Sequence, residues 1–188
     1  MTAPEALRVA TIVASTRRGR IGRTVADWFM TRAAERDDMT VDLIDLAEAG
    51  LPQLLESTPA VEAYTERLAA ADAFVVVTPE YNHSFPAPLK QAIDLARREW
   101  FAKPVGFVAY GGMAGGMRAV EQLRGVFAEL HATTIRDVVG FHGVHGQFDD
   151  GELIEPEGAN LATERMLDQL AWWAEALRDA RRRHPYAA

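Results

Sequence analysis

Short apolar runs alternate along the chain with longer amphipathic stretches, and the two periods predict strand and helix in turn. Leu7–Val13 is an apolar run that reads as a first strand. Ile21, Val25, Trp28 and Phe29 follow at i, i+4, i+7 and i+8, the stripe of a helix packed on a sheet. Val41–Leu46 predicts a second strand, and Ala47–Thr58, with Gly50 and Pro52, a loop. Pro59 suits the first turn of a second helix ending near Ala71. Ala73–Thr78 holds Phe74-Val75-Val76-Val77, a continuous apolar run of the kind buried on both faces. Pro86 and Pro88 open a third helix carrying Leu89, Ile93 and Ala96, and Val105–Tyr110 reads as a fourth strand. Val120, Leu123, Phe127 and Leu130 make the next helical stripe, followed by a fifth strand at Thr133–Val139. Gly140–Gly158 is glycine-rich and polar, a long loop or short hairpin. A final helix, roughly Asn160–Arg183, is expected to bury Leu167, Leu170, Trp173 and Leu177.

A strand–helix unit repeated five times implies parallel strands joined by right-handed crossovers, with helices on both faces. The expected fold is therefore α/β: a flavodoxin-like three-layer sandwich whose five-stranded parallel sheet runs in the order 2-1-3-4-5. No linker or internal repeat divides the chain, so residues 1–188 are expected to form one domain. A sheet of this order binds ligands beyond the carboxyl ends of its strands, where the order reverses between strands one and three. The loops leaving strands one, three and four should form one site.

Those loops carry the chain's distinctive chemistry. After strand one comes Ala14-Ser15-Thr16-Arg17-Arg18-Gly19-Arg20-Ile21-Gly22, a hydroxyl and three arginines leading into a helix start. Helix N-termini offer free N–H groups to an anion, and Ser15, Arg17 and Arg20 can add hydrogen bonds, so a phosphate is the expected ligand. The chain has no Gly-x-x-x-x-Gly-Lys-Ser/Thr loop, and Gly19 and Gly22 alone do not make a dinucleotide fingerprint. Asp45, ending the second strand, would be the ribose-binding acid only in that disfavoured Rossmann reading. After strand three comes Thr78–Pro86, proline-stiffened at both ends, with Glu80, Tyr81 and Asn82 inside. After strand four, Gly111 and Gly112 let main chain approach a ligand, while Gly115 and Gly116 serve the turn into the following helix.

Composition narrows the function. The 188 residues are 48% hydrophobic, enough for a buried core, and the formal net charge is −7. So acidic a chain suits neither nucleic acid nor an anionic membrane, and the arginines of the first loop stand out against it. With no cysteine there is no disulfide, thiolate metal site or cysteine nucleophile. Met1–Arg8 lacks a targeting pattern and no apolar run approaches a membrane span, so a soluble cytoplasmic protein is expected. His142-x-x-His145 with Asp149 and Asp150 reads as a solvated loop, with no metal site expected. Trp172 and Trp173 are expected to pack in the core or an interface. Arg181–Arg183 suit a helix C-terminus, and Lys90 and Asp94 an i, i+4 pair.

Ser15-Thr16-Arg17-Arg18-Gly19-Arg20, Pro79-Glu80-Tyr81-Asn82-His83-Ser84, Leu89-Lys90-Gln91-Ala92-Ile93-Asp94, Gly111-Gly112 and Gln122-Leu123-Arg124 together resemble the NADPH-dependent FMN reductase family in order and spacing. The resemblance runs from about Leu7 to Val139. It implies one FMN per subunit in homodimers or homotetramers, with the FMN sites near a subunit interface, to which the Lys90–Asp94 position also points. It implies that Ser15, Arg17, Arg20, Ile21 and Gly22 surround the FMN phosphate, that Pro79, Glu80, Tyr81 and Asn82 line the isoalloxazine, and that Tyr110, Gly111 and Gly112 complete its other edge. Ala14 stands where the family has glycine, and Ile21 where many members have a polar residue, leaving only its N–H for phosphate. FMN would take hydride from NADPH or NADH and pass electrons to a small acceptor such as a quinone, flavin, azo compound or metal ion. No protein acid–base residue is required, since the flavin carries the chemistry. The alternative is a flavodoxin-like FMN carrier or regulator that oxidises NAD(P)H negligibly.

Overall fold

The computed structural model describes residues 5–187, so the Met1–Pro4 part of the N-terminal expectation lies outside the described residues. Its elements are β1 Leu7–Val13, α1 Gly22–Ala34, β2 Met39–Asp45, α2 Pro59–Ala70, β3 Ala73–Pro79, α3 Ala87–Asp94, β4 Pro104–Gly111, α4 Met117–Glu129, β5 Thr133–His142, the two-residue strands β6 Phe148–Asp149 and β7 Glu152–Leu153, and α5 Pro156–Arg183. The main sheet is parallel in the order β2-β1-β3-β4-β5, and β6 and β7 form a small antiparallel hairpin. This is the flavodoxin-like order expected from the sequence.

Alternation along the central strands divides the core. On β3, Ala73, Val75 and Val77 face α1 and α5, while Phe74 and Val76 face α2, α3 and α4. On β4, Val108 and Tyr110 take the α1/α5 side, and Val105, Phe107 and Ala109 the other. All seven residues of β3 are buried, as a strand covered on both faces requires. Thr58 caps α2 by accepting the Val61 N–H at 3.3 Å, and Pro59 fills its first turn.

Several boundaries move from their expected places. Ala96 lies beyond α3, which stops at Asp94. β5 continues to His142 because its pairing with β4 slips at a bulge between Val105 and Phe107 and then resumes to Gly111. Arg124 satisfies carbonyls of the bulge, donating to Ile135 O at 2.7 Å and Arg136 O at 3.2 Å. Gln169 accepts the Asp137 N–H at 3.0 Å. α5 starts at Pro156 and buries Leu167 and Leu170, but Trp173 and Leu177 are only half-buried and Trp172 is 64% exposed. Lys90 and Asp94 form the expected pair at 2.6 Å.

At the amino end of the sheet Lys103 is 7% exposed. Its ammonium caps α2, donating to Leu68 O at 2.8 Å and Ala69 O at 3.0 Å. Burial pulls its pKa from 10.5 down to about 8. The unfolded chain holds this proton to higher pH, so stability rises as pH climbs from about 8 toward 10.5, by up to about 3 kcal/mol. A Lys103→Met variant should lose that rise in urea unfolding midpoints taken across the window; parallel pH profiles for the two chains would contradict it.

Candidate active site

Parallel register brings the three loops together. Ala14 N–H donates to Val77 O at 2.9 Å, and Glu80 N–H to Tyr110 O at 3.0 Å, so β1, β3 and β4 end side by side. Beyond them opens a cavity of about 390 Å³, within the range of small-molecule sites. Ser15, Arg17, Arg20, Ile21, Pro79, Glu80, Tyr81, Tyr110, Gly111 and Gly112 all line it. Gly22 and Asn82 do not; Gly22 lies below it in α1, and Asn82 at the tip of a hairpin on its rim.

The phosphate-type loop is braced from within. Ser15 is buried, and its hydroxyl lies 2.8 Å from the Tyr81 hydroxyl across the cavity floor. Arg17 stacks over the Tyr81 ring at 5.5 Å and has no carboxylate partner among the described residues. Arg20 is differently placed: it donates to Ser15 O at 2.6 Å and to buried Asp45 at 2.5 Å. Arg23 adds a weaker contact to Asp45 at 3.8 Å. Asp45, weighed from the sequence as a ribose-binding acid, is thus a structural anchor that ties the loop after β1 to the end of β2. Arg20 spends its charge largely on that anchor. α1 has no side-chain cap and no acidic residue in its first turn, so the Gly22, Arg23 and Thr24 N–H groups find no partner among the described residues.

Tyr110 lines the cavity at the end of β4. Alternation sends its side chain down beneath α1, where it is 4% exposed. Among the described residues its hydroxyl has no hydrogen-bond partner, and burial raises its pKa far above the ordinary tyrosine value. A Cβ added at Gly22 would come within 2.2 Å of that hydroxyl, so the missing side chain makes room for Tyr110 while the Gly22 N–H stays free at the helix start. Gly111 and Gly112 line the cavity, and a Cβ at Gly112 would meet nothing within 4 Å.

The loop after β3 is a two-residue hairpin. Tyr81 N–H donates to Ser84 O at 2.8 Å, and Ser84 N–H to Tyr81 O at 3.0 Å. Asn82 and His83, at φ 50° and 65°, give both central positions the positive φ of a type I′ turn. A non-glycine residue held there costs on the order of 1 kcal/mol or more. Glu80 is fixed by Arg118, which donates from its guanidinium at 2.9 Å and its backbone N–H at 3.2 Å.

Residues not assigned to the site from the sequence complete the wall. Arg18 and Gly19 belong to the first loop, while Gly143, Val144 and His145 come from the short turn after β5. The glycine-rich composition of 140–158 was the available signal; parallel pairing puts the exit of β5 at the cavity end, and the added length of β5 brings Gly143–His145 to the wall. Among the described residues no cluster of three metal-ligating side chains occurs, and no helix is long and apolar enough to cross a membrane.

Free helix N–H groups, an unpaired arginine, an orphaned buried tyrosine hydroxyl and open glycine backbone fit a flat ring carrying a phosphate. Topology and cavity together define a flavodoxin-like protein. A model of the NADPH-dependent FMN reductase family matches residues 7–146. The chain is 36% identical over 176 residues to "Probable NADPH:quinone oxidoreductase 2" of Oryza sativa subsp. japonica, covering 83% of each. It is 33% identical over 154 residues to an NAD(P)H-dependent FMN reductase of Pseudomonas aeruginosa, covering 74% of this chain and 81% of that protein. In fold it is similar to a flavoenzyme NAD(P)H:(acceptor) oxidoreductase from Paracoccus denitrificans, with a TM-score of 0.72 over 91% of this chain and 98% of that one, at 22% identity. The chain belongs to the NADPH-dependent FMN reductase family, an enzyme family whose cofactor is FMN and whose electron donor is NAD(P)H.

The Gly22–Tyr110 contact makes a direct prediction. Gly22→Ala should destabilise by about 1–3 kcal/mol through overpacking, and Tyr110→Phe should recover part of that loss. Equal thermal midpoints for wild type and Gly22→Ala would contradict the contact. Breaking the loop anchor with Arg20→Ala strands a buried carboxylate and should cost roughly 2 kcal/mol or more, while adding Asp45→Asn should return part of it.

Proposed function

We propose that this chain is a single-domain FMN-dependent NAD(P)H oxidoreductase whose acceptor is a small molecule of the quinone class. The observation that carries the reading is the unpaired Arg17 beside the uncapped start of α1, a phosphate-sized positive site at one end of an open cavity. Arg17, Ser15 and the N–H groups at Ile21 and Gly22 would hold the phosphate. Pro79, Glu80, Tyr81 and Asn82 would lie along one edge of the ring, and the main chain at Tyr110, Gly111 and Gly112 along the other. Bound FMN would supply the hydride chemistry, accepting from NAD(P)H and passing electrons to the second substrate. No side chain is asked to act as an acid or base.

The residues of the site bind and orient. Ser15 and Tyr81 hold each other across the floor, so the phosphate loop and the hairpin cannot drift apart independently. Of the backbone N–H groups from Glu80 to His83, those of Glu80 and Tyr81 are spent on the fold. The Asn82 and His83 N–H groups have no partner among the described residues and would stabilise negative charge on the ring. A quinone is favoured because the rice relative is named a quinone oxidoreductase and a Burkholderia relative a 2-hydroxy-1,4-benzoquinone reductase. Leu54, Leu55 and Met113, all strongly exposed, support assembly as a homodimer or homotetramer. The absence of cysteine agrees with a cytoplasmic setting.

Arg17→Ala should weaken FMN binding roughly 10- to 100-fold, the loss of one or two charge-assisted hydrogen bonds. Fluorescence titration measures it, and unchanged affinity would remove the phosphate assignment. Steady-state turnover with benzoquinone, an azo dye and ferric citrate tests the acceptor: the quinone should give the highest kcat/KM, and a quinone rate below the other two would overturn that class.

A further inference from the structure

The strained hairpin is held from outside by one helix. Gln122 on α4 spends both ends of its amide on it: Nε2 donates to His83 O at 2.6 Å, and Oε1 accepts from the Ser84 hydroxyl at 2.6 Å. One turn earlier on the same helix, Arg118 grips Glu80 at the other end of the hairpin. α4 is itself anchored through buried Val120, Leu123 and Phe127, so these two side chains fix the hairpin to a rigid support.

This support matters because the turn is not self-sustaining. Neither Asn82 nor His83 is glycine, and both sit at positive φ. A turn of that kind persists only where its surroundings over-determine it. Its two central N–H groups are the donors that the hairpin does not consume. We propose that Gln122 is a positioning residue: it locks the Asn82–His83 turn at the cavity rim, keeps the Glu80–Tyr81 wall of the hairpin where the flavin ring would lie, and thereby sets the cofactor's redox potential. The inference rests on the FMN reading above. Gln122 does not line the cavity and its own side chain is exposed, so replacing it leaves the core intact.

The test uses the full-length protein with Gln122→Leu, which removes both contacts, and Gln122→Glu, which keeps the acceptor for Ser84 and loses the donor to His83. Amide hydrogen exchange at Tyr81 and Ser84, read without FMN, should quicken at least tenfold in Gln122→Leu and less in Gln122→Glu. With FMN bound, the midpoint potential should fall by about 30 mV for each tenfold loss of preference for the two-electron-reduced form. The thermal midpoint should stay near wild type, and Ser84→Ala added to Gln122→Leu should change little further. Wild-type exchange in both variants overturns the proposal. Faster exchange with an unchanged potential also overturns it, because the turn would then be held without acting on the ring. If wild type itself fails to bind FMN, the functional reading falls first, and that result is visible before any variant is made.

Discussion

The molecule depends on one constraint: β3 is buried on both faces and pairs in parallel with β1 and β4. A strand so placed has to send successive side chains alternately to the α1/α5 layer and the α2–α4 layer, and the neighbouring strands inherit that alternation. Parallel pairing makes β1, β3 and β4 point the same way, so the loops leaving them meet at one end of the sheet. The cavity is a consequence of that meeting. So is the burial of Tyr110 beneath α1, because the pleat gives its side chain no other direction.

Electrostatics then sort the loops' charges by task. Arg20 is consumed by Asp45 and the Ser15 carbonyl, and Arg118 by Glu80, so these pairs build the walls. Arg17 remains with only an aromatic face against it, next to helix N–H groups that have no other partner. On a chain of net charge −7 this leaves a local positive site at the cavity, the feature on which the proposed phosphate contact rests. The same division appears in the backbone: the hairpin pairs two of its amides internally and leaves the two at its tip free.

Much of this was legible in the sequence because it follows from local period and local chemistry. The apolar run at Phe74–Val77 announced the central strand, and Ser15 to Gly22 announced a loop that runs into a helix start beside the cavity. What was not legible depends on contacts across the sheet. Arg20 and Asp45 are 25 residues apart and on different strands' ends, so nothing in either segment distinguishes a phosphate-binding arginine from an anchored one. The extension of β5 to His142 follows from a bulge whose carbonyls are satisfied by α4, and it carries Gly143–His145 to the cavity. Gly22 read as part of the phosphate loop, and its lack of a side chain is also the space required by a tyrosine 88 residues away. Trp173 read as buried, yet the apolar stripe of α5 turns on Met166, Leu170 and Ala174, leaving Trp173 half-buried and Trp172 on the surface.

The central claim is that the cavity beyond β1, β3 and β4 holds a flavin that NAD(P)H can reach. It is tested most directly by titrating the purified protein with FMN, then adding NADPH without oxygen while following the flavin's visible absorption band. The account predicts one FMN bound per chain and rapid loss of the band, restored when benzoquinone is added. Bound FMN whose band persists with both NADPH and NADH would contradict the oxidoreductase account and leave an FMN-binding carrier.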